Sequence, residues 1–177
     1  MRTRRLTLIA GLALTGSLVG PAVAPAVLEP DLGLAGAKLG MTTQEVVSVL
    51  GNPTTKDTRT DDNGGREVHW YYNATRIKVE FRKPEPGSPD IVTRLATRSG
   101  KERTAGGVGV GTPERKLRSS IRGVSCREFR VSRTRTQRAC FTRGRSNGSA
   151  IGRDQTVFDV SRKTRRITAV SVSRFYD

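Results

Sequence analysis

Histidine occurs once in these 177 residues, cysteine twice and tryptophan once, and aromatic residues make up only 5%. With His69 alone, a histidine-based metal site has no second imidazole, and a nucleophile has little choice of base. His69 sits in Glu67-Val68-His69-Trp70-Tyr71-Tyr72, where strand alternation places it on one face with Glu67 and Tyr71. A polar strand-surface histidine is expected there rather than a catalytic base. Asp61-Asp62-Asn63-Gly64-Gly65 offers adjacent carboxylates, but it lacks the alternate spacing and distant glutamate of a calcium loop, and Asn63-Gly64 is a hairpin signal. The inventory argues against an enzyme, and no metal or cofactor is expected.

Long apolar runs are also scarce. The one present, Leu6 to Gly20, follows Met1-Arg2-Thr3-Arg4-Arg5 and precedes Ala24-Pro25-Ala26, the pattern of a cleavable export signal. It is short for a bilayer span, and Gly11, Gly16 and Gly20 weaken it as a helix. Cleavage near Ala26 is expected to leave a secreted or extracytoplasmic chain beginning at Val27. No cysteine lies in this leader, so the lipid anchor of bacterial lipoproteins has no attachment point.

An oxidising compartment favours pairing Cys126 with Cys140 in a structural disulfide. Redox sites use a short C-x-x-C spacing and metal sites more ligands, and neither is present. The formal charge is +16. The leader carries three positives, residues 27 to 100 carry ten charges of each sign, and residues 101 to 177 carry nineteen positives against six negatives. The mature excess therefore falls in the second half. It points to an anionic partner, or else reflects composition alone, since arginine outnumbers lysine by 25 to 7.

Gly40 to Pro53 reads as a short amphipathic helix, with Thr42 and Glu45 as a capping box, Val46, Val47 and Leu50 as its apolar stripe, and Gly51 and Pro53 as its stop. Thr112-Pro113-Glu114 begins a similar segment, with Thr112 as expected cap, Pro113 as first helical residue, and Leu117 and Ile121 in the places of Val46 and Leu50. Extended runs follow each helix: Arg66 to Tyr72, Arg76 to Lys83 and Ile91 to Arg98 in the first half; Arg127 to Arg133, Arg138 to Arg143, Gln155 to Val160 and Thr168 to Phe175 in the second. Gly106 to Gly111 lacks the lysine-serine ending of a phosphate-binding loop and reads as a connector. Asn73-Ala74-Thr75 and Asn147-Gly148-Ser149 are sequons that matter only in a host that glycosylates them.

The expected class is α+β: two tandem repeats, each a short helix or helix pair packed on a three- to four-stranded antiparallel sheet. The expected divisions are a signal over 1–26, a flexible mature N-terminus over 27–35, a first repeat over 36–103 and a basic second repeat over 104–177.

The Gly40-Met41-Thr42-Thr43-Gln44-Glu45-Val46 motif, the Leu50-Gly51-Asn52-Pro53 ending and Trp70-Tyr71-Tyr72 resemble the small-protein-A outer-membrane lipoprotein family, which includes an accessory of the barrel-assembly machinery. Two such units in tandem are similar in plan to the beta-lactamase inhibitor protein. The resemblance implies a non-catalytic binding scaffold and names no ligand.

Two surfaces are candidates. Between the cysteines, Arg127, Arg130, Arg133, Arg135 and Arg138 form a disulfide-bounded basic hairpin, with Arg133 and Arg135 expected on one strand face. Guanidinium groups held there suit phosphate or carboxylate oxygens; the alternative is a solvated hairpin tip protected by its charge. No aromatic interleaves to stack on bases, so no specific nucleic-acid partner is expected. Trp70, Tyr71 and Tyr72 form the candidate protein-binding set, although alternation sends Trp70 and Tyr72 to one face and Tyr71 to the other. The expected function is an exported binding module, possibly inhibitor-like, that recognises another protein. The alternative is an envelope protein that adheres to anionic polymer or lipid headgroups through its basic half.

Overall fold

The computed structural model describes residues 27–60, 64–146 and 152–176. The expected leader, the Asp61-Asp62-Asn63 part of the acidic turn and the Asn147-Gly148-Ser149 sequon lie outside the described residues.

Leu28–Glu29 (β1), Gly33–Leu34 (β2) and Ala37–Lys38 (β3) pair into a small antiparallel sheet. Leu28, Leu34 and Ala37 are fully buried in the main core. The segment 27–35, expected to be flexible, is instead a folded clasp. Its anchor is Asp31, whose Oδ1 accepts hydrogen bonds from the Thr156 backbone N–H (2.7 Å) and the Thr142 hydroxyl. Asp31 N in turn donates to Thr156 Oγ1 at 2.6 Å. At the other end of the clasp, Leu28 N donates to Arg103 O at 3.0 Å.

Helix α1 spans Thr43–Leu50, and its N-terminus forms the expected capping box. Glu45 N donates to Thr42 Oγ1 at 3.4 Å, and Thr42 N donates back to Glu45 Oε2 at 2.7 Å. Val46 is fully buried. Strands β4 (Thr55–Thr60), β5 (Arg66–Tyr72), β6 (Ile77–Arg82) and β7 (Ile91–Thr97) then run as an antiparallel meander. Strand β4 carries no apolar side chain, which is why periodicity missed it; it lies at the sheet edge and its residues are mostly exposed.

The connector to the second half is a packed loop. Val108 is fully buried, and the Arg103 guanidinium donates to Gly107 O, Val110 O and Thr112 Oγ1. A Cβ on Gly109 would sit 2.4 Å from Glu102 O, so close backbone approach explains that glycine. Helix α2 spans Glu114–Ser120 and departs from expectation at its start. Pro113 is the N-cap rather than the first helical residue, and Thr112 Oγ1 accepts from Gly109 N at 3.1 Å instead of capping the helix.

After α2 come β8 (Ser125–Arg130), β9 (Thr136–Phe141), β10 (Arg145–Ser146), β11 (Gly152–Val160) and β12 (Ile167–Tyr176). The strand order is β4-β5-β6-β7-β12-β11-β9-β8, with β10 also paired to β11, and every pairing is antiparallel. The expected α+β class with two separate helix-on-sheet repeats is therefore corrected. Half of the described residues are strand and only 11% helical, and the two meanders fuse into one nine-stranded sheet. Strand β7, the last of the first meander, pairs with β12, the last of the second, setting Leu95 opposite Val172. Two helices of eight and seven residues are too short to form a layer of their own.

One face of the sheet is the core. Trp70, Tyr72, Val79, Phe81, Leu95, Val170, Val172 and Phe158 are buried there with Val46 of α1, Leu117 of α2 and the clasp. No described helix is long and apolar enough to cross a membrane. Cys126 and Cys140 form a disulfide between directly paired positions of β8 and β9.

Candidate functional site: the open face of the sheet

Alternation gives each strand a second set of side chains, and no described element covers them. Yet Glu80, Thr93, Ser171 and Ser173 on this face are each less than a tenth exposed. Curvature explains the contradiction. Glu67 on β5 and Phe129 on β8 line one cavity of about 720 Å³. Seven strands at about 4.8 Å spacing would hold them about 29 Å apart on a flat sheet. The sheet is therefore bent around its open face into a cleft.

The half of the cleft formed by β4 to β7 is charged, and its charges are arranged in pairs. Asp57 accepts from Arg59 Nε at 2.7 Å. Glu67 is held by the Arg82 guanidinium through Oε1 and by His69 Nε2, 3.1 Å from its Oε2. Burial pushes the Glu67 carboxyl up, but the Arg82 and His69 hydrogen bonds outweigh it and hold the carboxyl below the usual range. Glu80 accepts from Lys78 Nζ at 2.8 Å and lies 3.6 Å from Arg94. Toward β9, Asp159 Oδ1 accepts from Gln137 Nε2 at 2.6 Å.

Glu67, His69 and Glu80 come close enough to share a cation, their ligand atoms lying within 4.8 Å of one another. A metal ion would compete with Arg82, Lys78 and Arg94 for the same oxygens, so the arrangement is an ion-pair network more than a coordination site. His69 shares its face with Glu67 and Tyr71 as expected, but it is buried rather than exposed.

The half formed by β8, β9, β11 and β12 carries the cleft's exposed aromatic residues. Phe129 and Phe175, at 38% and 43% exposure, stand on the cleft wall with Val157. Phe129 packs against Phe141 with ring centroids 6.3 Å apart, and the Arg127 guanidinium lies 5.0 Å over the Phe141 ring. These phenylalanines were not singled out from the sequence. Their parity was the available signal, since Phe129 shares the parity of Arg127 and Phe175 that of Ser173, so each falls on the polar face of its strand.

The aromatic triad divides as its alternation requires. Trp70 is in the core, 4.7 Å from the Phe81 ring with Lys56 over its outer side, and Tyr72 donates to Gly51 O at 3.1 Å. Burial pushes the Tyr72 phenol up. The Tyr71 side chain lies on the cleft face, where Lys78 Nζ lies 5.6 Å from its ring centroid.

The five arginines between the cysteines do not converge. Arg127 belongs to the cleft face; Arg138 points to the helix side, where Nε and Nη2 donate to Glu114 at 2.9 and 2.6 Å. Arg130 is an exposed residue at the end of β8. Arg133 lies in the turn before β9, and Arg135 just ahead of it, with Val131 N donating to Arg135 O at 2.8 Å. The expected shared strand face of Arg133 and Arg135 is therefore absent, because the hairpin turns where alternation had been extrapolated.

Fold and face define a class: a β-protein whose single curved antiparallel sheet is packed on one side and open and concave on the other. No protein-family model, no curated protein and no solved structure matches the chain.

Proposed function

We propose that this is an exported, non-enzymatic binding protein that grips a projecting segment of another protein in the concave face of its sheet. The observation that carries the reading is an uncovered cleft with exposed phenylalanines at one end. Its acids, Asp57, Glu67, Glu80 and Asp159, are already satisfied within the chain. Large rings in a partly desolvated concavity are what protein-binding hot spots are made of, and pre-paired charges cost less to bury. A flat lipid surface has no comparable fit to a concavity. The electrostatic alternative rests on the positive excess of residues 101 to 177 as a whole, and the engagement of Arg138 by Glu114 on the helix side favours the protein-binding reading over one built on the hairpin arginines.

The experiment replaces Phe129 or Phe175 with a photoreactive phenylalanine analogue and irradiates the protein in envelope extract, with Val49 on α1 as the control position. A single stoichiometric protein adduct from both cleft positions, surviving moderate salt and absent from Val49, is expected. Adducts from Val49 alone, or association that vanishes with salt, would favour the envelope-polymer reading instead.

A further inference from the structure

The end of the cleft opposite the phenylalanines is a separate cavity of about 580 Å³ between the β5–β6 turn and the ends of β7 and β12. Its walls include Tyr71, Ala96, Ala169 and Val170, and four cations reach it: Arg76, Lys78, Arg94 and Arg98. The two acids that also line it are engaged. Glu80 holds Lys78 at 2.8 Å and lies 3.6 Å from Arg94, and Asp159 accepts from Gln137. Arg76 and Arg98 have no acidic partner among the described residues, so the cavity keeps two positive charges that no described residue neutralises.

These arginines are neighbours by construction. Arg98 N donates to Arg76 O at 3.4 Å, joining the turn after β5 to the end of β7. Arg76 closes that turn with φ 57°, a left-handed conformation that glycine or asparagine adopts more cheaply. An exposed arginine kept in a strained backbone beside a second unpaired arginine, over a cavity walled by a tyrosine ring, is a recognition arrangement more than a solubilising one.

We infer that this cavity receives a carboxylate side chain from the bound partner: the gripped segment carries an aspartate or glutamate that pairs with Arg76 and Arg98. The inference rests on the cleft being the binding face and adds the chemistry of what enters it. Charge complementarity selects the acid. The concavity selects a side chain on a projecting loop over a lipid surface, whose headgroups lie in a plane. Arg127 and the hairpin arginines do not line this cavity.

The test is a titration of the isotope-labelled protein, followed through its arginine Nε–Hε signals, with two disulfide-cyclised hairpin peptides that differ only in glutamate or glutamine at the tip. The glutamate peptide is expected to shift Arg76 and Arg98 saturably and to bind at least tenfold more tightly than the glutamine peptide. Arg76→Gln with Arg98→Gln should abolish that preference, Arg76→Lys with Arg98→Lys should keep part of it, and Arg115→Gln on α2 should leave it intact. Equal binding of the two peptides, no binding of the glutamate peptide, or shifts centred on Arg127 to Arg135 would overturn the inference. If photo-crosslinking through Phe129 and Phe175 still captures a protein, only the carboxylate assignment falls; if that capture fails as well, the cleft reading falls with it.

Discussion

Arg138 on β9 makes a two-point contact with Glu114, the first residue of α2, at 2.9 and 2.6 Å. Both side chains are largely shielded from water, and Arg165 adds a second positive group 3.5 Å from the same carboxylate. The Arg138 hydrogen bonds hold the Glu114 carboxyl below its usual range against the opposing effect of burial. A carboxyl whose folded pKa is depressed stabilises the fold above its unfolded value, and that contribution is lost as pH falls through the folded one. Arg138→Ala is expected to cost about 3 kcal/mol near neutrality, since it leaves a shielded charge without its main partner. In urea titrations, the gap between wild type and Glu114→Gln should close as pH drops below the ordinary glutamate range. A gap that persists at the lowest pH would contradict this account.

The disulfide ties the edge strand β8 to β9, with the two cysteines 14 residues apart. Replacing both cysteines by serine is expected to cost about 3 kcal/mol in the chain-entropy account. Under native conditions, hydrogen exchange should show β8 amides losing protection before those of β12, which is flanked on both sides.

Asp31 holds the clasp to β11 and the residue after β9 through its Oδ1. Asp31→Ala should lose about 2 kcal/mol, the scale of hydrogen bonds to a charged acceptor, and should accelerate exchange at Leu28 to Leu34. Asp31→Asn keeps an acceptor and tolerates the left-handed φ of 61° found there, so it should lose much less.

Trp70 and Tyr71 are adjacent but belong to opposite faces. Trp70→Ala is expected to cost 3 kcal/mol or more, about the usual penalty for truncating a buried large aromatic. Tyr71→Ala should cost less than about 1 kcal/mol. Its effect should appear as weakened capture of the cross-linked partner. If Tyr71→Ala destabilises the fold as much as Trp70→Ala, the assignment of the two faces is wrong.

Much of the strand inventory was legible because it rests on local patterns. Val68, Trp70 and Tyr72 alternate with Glu67, His69 and Tyr71, and Thr42 with Glu45 marks α1 in a four-residue signature. The architecture was harder to read, because the pairing of β7 with β12 joins segments far apart in sequence and leaves no local trace. Strand β4, written Thr55-Lys56-Asp57-Thr58-Arg59-Thr60, is held by its ladder to β5 and not by burial, so an apolar pattern could not reveal it. The cleft was equally invisible: Phe129 and Arg76 acquire meaning only once curvature brings their strands around the same hollow. The hairpin arginines illustrate the reverse case, where a dense run of like charge in sequence is dispersed by one turn and one ion pair.

The β7–β12 seam has a consequence for how the chain reaches its final state. Until the last strand arrives, the first meander has an unsatisfied edge along β7, and that edge is matched to β12 of any copy of the chain. At high concentration, refolding should favour exchange of second halves between molecules, giving an intertwined dimer in which every native pairing is kept. The long wait for β12 is thus the step at which a newly made chain is most exposed to its own neighbours.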